Sequence, residues 1–310
     1  MGGGFSLAEH SQERHALRIA PPRRQGLASD AEVLDRVNRV LGPVEVAEDL
    51  TAQPLVSRVL RVKTRSDEHS IVKWYSALAD YQRELDALTS YTPSLGSDAP
   101  RLIDHDDTFQ MLLQSEVPGD RATTLGQDWD PLIHYRAGVL IRRLHESAQP
   151  VRSDQFARQC ASRFEDAAGA VDGVVEPHLL SEARLLIARA MDLETMLLVP
   201  AHRVNHPKNW LVDPGGHVRL IDFAHSEYDP WIVDVFLLEQ DYWRSDPNLK
   251  VAFLSGYDRE ISSEDTTLLR AHHAVMAVRA LAAAGGSQVT KAEKMRARDM
   301  FDRLLGATLF

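Results

Sequence analysis

Residues 200–234, PAHRVNHPKNWLVDPGGHVRLIDFAHSEYDPWIVD, decide how the rest of this 310-residue chain is read. The apolar run Trp210-Leu211-Val212 stops at Asp213-Pro214-Gly215-Gly216, and apolar residues resume from Val218 to Phe223. Two short strands joined by a glycine-containing turn make a hairpin. His202, His206 and Asn209 precede its first strand and Asp222 closes its second. Antiparallel pairing brings Asn209 close to Asp222, and an amide and a carboxylate placed together can share a magnesium ion.

The order of these residues resembles the catalytic core of the aminoglycoside phosphotransferase and choline kinase-like family, which shares the protein-kinase fold. That family's loop reads H-x-D-x-x-x-x-N, and its hairpin leads to I-D-F or I-D-W. His202, Asn209, Ile221, Asp222 and Phe223 match, and His206-Pro207 fills the family's frequent His-Pro or Gln-Pro. At the position of the family's catalytic aspartate the chain carries Val204. The resemblance covers roughly residues 31–285. It implies an α+β, two-lobe, protein-kinase-like fold: an N-terminal antiparallel sheet with a helix, then a larger, mainly helical C-terminal lobe. The expected division is a flexible segment at 1–28, a nucleotide-binding lobe at 29–115 and a lobe at 116–310 with the hairpin and acceptor-binding helices. It also implies ATP or another nucleoside triphosphate, Mg2+ held by Asn209 and Asp222, and an acceptor that is a small-molecule alcohol, an amino sugar or a peptide hydroxyl.

Upstream of the hairpin, Asp30 is a candidate N-cap for a helix over 31–41, stopped by Gly42-Pro43. Val44–Val46, Val56–Val62 and Ile71–Trp74 alternate with period two and are rich in β-branched residues, so they read as strands. By pattern alone Lys73 faces solvent. The resemblance makes it the lysine that reaches the nucleotide phosphates, with Glu84 its partner on the next helix. The loop over the phosphates falls at 51–57 and holds no glycine, so Ser57 is either a phosphate donor or an ordinary strand-edge serine. Residues 101–103 and 110–114 read as two more strands around a turn at Asp104–Asp107. Ser115-Glu116-Val117-Pro118-Gly119 resembles the family's lobe-connecting hinge, whose backbone at Glu116 and Val117 would meet the adenine edge. It also reads as a plain strand exit.

Beyond 119 the pattern is helical. Leu132–His145 has one apolar stripe, and His145 suits packing or capping better than catalysis. At least two helices are expected in 151–199, one of them Leu179–Leu198. A helix begins at Asp229-Pro230-Trp231, in which Asp234 matches a family aspartate that holds the catalytic loop through its backbone amides. Asp265–Leu281, ended by Gly285-Gly286, points adjacent His272 and His273 about 100° apart, a poor metal pair.

A net charge of −10 argues against a nucleic-acid footprint, fits cationic substrates such as amino sugars, and serves solubility in any case. One cysteine, Cys160, excludes an intramolecular disulfide or a cysteine zinc cage. No apolar run approaches a membrane span. No secretory pattern is present at the N-terminus, and a cytoplasmic protein is expected.

Val204 shapes the functional expectation, because valine accepts neither a hydrogen bond nor a proton. Losing a positioned base costs about 10²–10⁴ in rate. Three readings follow. The first is a phosphotransferase in which His202, Asn205, His206 or Asn209 compensates at the catalytic loop. The second is a pseudokinase that binds nucleotide, substrate or a protein partner as scaffold. The third is another group transfer on the same fold.

Overall fold

The computed structural model describes residues 27–171, 175–284 and 291–305. The expected flexible segment at 1–28 lies outside the described residues but for its last two, as do Gly285 and Gly286. The chain is α+β and divides into two compact units. Residues up to 81 together with 103–114 form the first, and 82–102 with 115 onward the second.

In the first unit, helix α1 (Asp30–Leu41) precedes strands β1 (Val44–Asp49), β2 (Ser57–Thr64) and β3 (His69–Tyr75). Helix α2 (Leu78–Ser90), in which the division between units falls, leads on to β4 (Leu102–Asp106) and β5 (Met111–Ser115). The sheet order is β1-β2-β3-β5-β4, with β2 antiparallel to both β1 and β3. Val33 and Val37 of α1 pack on Leu60, Val62, Val72, Trp74, Met111 and Leu113. The indole of Trp74 donates to the carbonyl of Ala28 at 3.0 Å, so the sheet anchors the start of α1.

Two local expectations shift. The cap of α1 is Ser29 and not Asp30, because Ser29 and Glu32 form a reciprocal capping box. Asp30 pairs instead with Arg58. The turn between β4 and β5 falls after Asp106, whose Oδ1 accepts from the backbone nitrogens of Thr108 (2.9 Å) and Phe109 (3.2 Å). Arg36 holds Asp104 and Asp106 within the strand.

The second unit contains β6 (Asp120–Arg121), α3 (Pro131–His145), β7 (Val151–Ser153), α4 (Gln155–Ala168), α5 (Pro177–Met191) and β8 (Met196–Ala201). Strands β9 (Trp210–Val212), β10 (Val218–Leu220) and β11 (Glu227–Asp229) follow, then helices α6 (Pro247–Tyr257), α7 (Ser263–Ala284) and α8 (Lys291–Leu305). Two three-stranded sheets each join a consecutive pair of strands to one from elsewhere in the chain, in the orders β10-β9-β6 and β11-β8-β7. The expected hairpin is present, with Leu220 opposite Trp210 and Val218 opposite Val212. The Asp213 carboxylate organises its turn by accepting from the nitrogens of Gly215 (2.9 Å) and His217 (3.0 Å).

The helix expected at Leu179–Leu198 ends at Met191. Glu194 takes a φ of 53°, and Met196 and Leu198 bury on one face of β8 while Leu197 stays exposed. Period-two burial there overrides helix propensity. Glu227–Asp229 is likewise a strand, and a 3₁₀ turn covers Trp231–Val235 where a helix start was expected at Asp229. His272 and His273 sit in the core, each edge-on to Phe236.

Candidate active site

The loop between β8 and β9 is set by one buried carboxylate, Asp234. Its Oδ2 accepts from the backbone nitrogen of His202 at 2.8 Å, and its Oδ1 accepts from that of Arg203. His145 Nε2 donates to the same Oδ2 at 2.8 Å, and Tyr257 fixes the ring by donating to His145 Nδ1 at 2.7 Å. Burial pushes the Asp234 carboxyl up, but the hydrogen bonds from His145 and from the His202 backbone help hold it below the ordinary carboxylate range. The expected role of Asp234 therefore appears in the geometry, tying down the loop, while His145, expected to pack or cap, is found bracing Asp234.

Each polar residue of the loop then has a defined neighbour. His202 is buried, its Nε2 donates to the carbonyl of Ile221 at 3.0 Å, and its ring meets Phe223 edge-on. Burial lowers its pKa and favours the neutral ring, against the pull of Asp234 and of the Ile221 carbonyl. Asn205 uses both ends of its amide: Nδ2 donates to the carbonyl of Asp234 at 3.0 Å, and Oδ1 accepts from the Trp210 indole at 2.8 Å. His206 caps a 3₁₀ turn at Pro207–Asn209, its Nδ1 accepting from the Lys208 nitrogen at 3.0 Å. The side chain of Val204 offers no polar atom, but its carbonyl accepts from Asn209 Nδ2 at 3.0 Å.

Asn209 and Asp222 are brought together through the backbone. The carbonyl of Asn209 accepts from the nitrogen of Ile221 at 3.1 Å, one residue before Asp222. Asp222 then turns into the left-handed region at a φ of 71°. Because the Asn209 amide nitrogen is held by Val204, its oxygen is turned the opposite way. An amide oxygen and a carboxylate are hard donors of the kind that hold Mg2+ alongside phosphate oxygens, so the residues present fit that ion. Among the described residues no trio of His, Cys, Asp or Glu converges on a metal position.

The family model described as the phosphotransferase enzyme family matches residues 54–272. The chain belongs to that family. No curated protein sequence matches it. Among solved structures it is similar to the choline kinase LicA of Streptococcus pneumoniae, at 16% identity over 89% of this chain and 98% of that one, with a TM-score of 0.63. It is also similar to the macrolide 2'-phosphotransferase MphH of Brachybacterium faecium, at 15% identity over 88% and 97%, TM-score 0.58. A third is a spectinomycin phosphotransferase, APH(9)-Ia, solved with ADP and spectinomycin, at 13% identity over 89% and 94%, TM-score 0.55. At these identities the likeness establishes the protein-kinase-like fold.

The other residues that the resemblance to this family singles out fall in both units. Ser57 opens β2, and Lys73 is buried in β3 with its Nζ 5.2 Å from the Tyr75 ring. Glu84 is fully buried in α2, and Glu116 and Val117 follow β5. Gly119 sits at a φ of 117° just beyond, where an added Cβ would lie 2.9 Å from the backbone of Val212; the strand pairing of β6 with β9 needs a glycine there.

Sequence reasoning passed over two features of the site. Arg203, at a φ of 67°, bridges Glu227 and places Nε 2.9 Å from Asp229, tying the loop to β11. Burial pushes the Asp229 carboxyl up to about 7, against the pull of Arg203. The second is Asp241, whose Oδ2 lies 3.5 Å from His206 Nε2. It stands beside Tyr242, whose ring packs on His206, His134 and the half-exposed Trp129. An acidic residue set directly before two aromatics, Asp241-Tyr242-Trp243, was the available signal. Among the described residues no helix is long and apolar enough to cross a membrane.

Proposed function

We propose that the chain is an ATP-dependent phosphotransferase acting on a hydroxyl of a small molecule or peptide, with Mg2+ bound through Asn209 and Asp222. The observation that carries this reading is the retained Asn209–Asp222 pair on a loop fixed by Asp234. A chain that only served as scaffold has no physical need for two oriented hard donors. Ser57 and Lys73 are the residues proposed to engage the phosphates, with Glu84 as the partner of Lys73, and the backbone at Glu116 and Val117 to engage the base.

When bound, the ion would neutralise charge on the phosphate oxygens. The chain's own part is to keep the loop still. Asp234 and His145 lock the backbone at 202–203, and Asn205 joins the loop to Trp210. His202 joins it to Ile221, the residue before Asp222, just beyond β10. Such positioning supplies much of the catalysis in phosphoryl transfer, where the protein does little covalent chemistry. Alcohols and amino sugars are the proposed acceptors: proteins of similar fold are named as choline, macrolide and spectinomycin phosphotransferases. Trp129 and Tyr242, with Asp128 and Asp241 near them, would suit a cationic acceptor. A cytoplasmic setting accords with the single buried cysteine.

Val204 favours a second reading, a protein that binds nucleotide without transferring phosphate, with a protein partner in place of an acceptor. Incubation with γ-labelled ATP, Mg2+ and a panel of amino sugars, choline-like alcohols and hydroxyl-bearing peptides separates the two. Label transferred to a hydroxyl supports the phosphotransferase. Nucleotide binding with no label on any acceptor, and none released as phosphate, supports the scaffold.

A further inference from the structure

Val204 leaves the loop without a carboxylate where the family carries its catalytic aspartate, so a proton acceptor must come from elsewhere if transfer occurs. Asn205 is not that group, because both ends of its amide are hydrogen-bonded inside the protein. His202 is buried with Nε2 on the carbonyl of Ile221. His206 reaches the surface, with a side chain 15% exposed, but its bonding decides its role. The Lys208 N–H is 3.0 Å from Nδ1, so the ring's lone pair is on Nδ1 and its proton on Nε2. His206 can therefore donate from Nε2 and cannot accept a proton there.

What Nε2 faces is the carboxylate of Asp241, at 3.5 Å. Asp241 lies on the π-helical turn Glu239–Trp243, a wide turn of a kind that recurs at functional sites. Its neighbours anchor that turn: Tyr242 packs at a tilt against Trp129 and its hydroxyl donates to Asp128 at 3.2 Å, while Glu239 is held by Arg244. The Asp241 side chain is 22% exposed, so it meets both the loop and solvent.

We propose that Asp241 is the proton acceptor for phosphotransfer, a carboxylate delivered to the catalytic loop by the π-helical turn, with His206 as the residue that positions it. The proposal rests on the phosphotransferase reading. In the step, the acceptor hydroxyl gives its proton to a carboxylate oxygen of Asp241 as the hydroxyl oxygen bonds to the γ-phosphorus of the nucleoside triphosphate. The bond from that phosphorus to the β–γ bridging oxygen breaks, and its electron pair leaves with the nucleoside diphosphate. The proton on Asp241 then passes to water.

The test uses the full chain with Mg-ATP and water as the phosphate acceptor. Four proteins are compared, the wild type, Asp241→Asn, Val204→Asp and the double variant, with Mg-ATP affinity measured for each by calorimetry. Asp241→Asn is isosteric and removes the proton-accepting charge. It should lower kcat for ATP hydrolysis by about 10²-fold and leave the nucleotide Kd within about twofold. With Val204→Asp present, a carboxylate already stands in the loop, and Asp241→Asn should then cost less than about threefold. Equal losses in both backgrounds would mark Asp241 as merely structural and overturn the proposal. Unchanged hydrolysis in Asp241→Asn would also overturn it. A wild type that binds Mg-ATP but hydrolyses none overturns it while leaving the nucleotide site standing, whereas no Mg-ATP binding removes the phosphotransferase reading as well.

Discussion

Asp234 Oδ2 lies 2.8 Å from the backbone nitrogen of His202, and through that contact a carboxylate 32 residues downstream fixes the first residue of the loop between β8 and β9. The same carboxylate takes the backbone nitrogen of Arg203 and is itself held by His145. The loop is thus organised from within the protein, and its polar side chains are distributed between support and chemistry by what Asp234 leaves them to do.

Replacing Asp234 tests that organisation. Asp234→Ala leaves two buried backbone N–H groups and the His145 ring without their acceptor, at a cost of about 2–4 kcal/mol of stability in urea unfolding. Asp234→Asn keeps the shape but only one acceptor oxygen, so it should fall between the alanine variant and the wild type.

Asp229 predicts a pH dependence. Its carboxyl is raised to about 7 by burial, above its value in the unfolded chain. The folded protein therefore binds a proton more readily than the unfolded one. The resulting stability is complete below about pH 4 and is lost as pH rises through about 7. Asp229→Asn, which cannot ionise, should flatten the fall in Tm between pH 5 and pH 8. An unchanged slope would show that Arg203 keeps Asp229 charged throughout.

Helices α3 and α6 touch backbone to backbone. A Cβ at Gly256 would lie 2.0 Å from the carbonyl oxygen of Tyr135, and one at Gly138 would lie 2.2 Å from that of Phe253. Backbone cannot move aside as a side-chain tip can. Gly256→Ala should cost about 1–3 kcal/mol, read as a lowered urea midpoint with an unchanged slope. Tyr257, one residue on, fixes His145, so the same variant should weaken Mg-ATP binding as well.

Much of this was legible in the residues because local chemistry and global fold agree. The Asp213-Pro214-Gly215-Gly216 turn fits the hairpin that forms, and the His202 and Asn209 pattern falls on one loop, whereas Asp222, expected to close the second strand, lies just past its end at Leu220, where it turns to a φ of 71°. Elsewhere tertiary contacts overrode the local signal. Helical composition continues through Leu198, but Glu194 turns the chain, and Met196–Ala201 gains two strand partners that no local window contains. The capping box at Ser29 was visible as Ser-x-x-Glu yet lost to the adjacent aspartate. The commitments of Asn205 and His206, and the approach of Asp241, depend on partners up to 35 residues away that spacing alone does not specify.

The most direct test is calorimetry of ATP binding to the wild type and to Asp222→Ala, each with Mg2+ and with EDTA. Binding that needs Mg2+ and is lost in Asp222→Ala, while the variant keeps its unfolding transition, is the result expected. Absence of ATP binding by the wild type, or equal binding with and without Mg2+ in both proteins, would contradict the assignment of Asn209 and Asp222 as the ion's ligands.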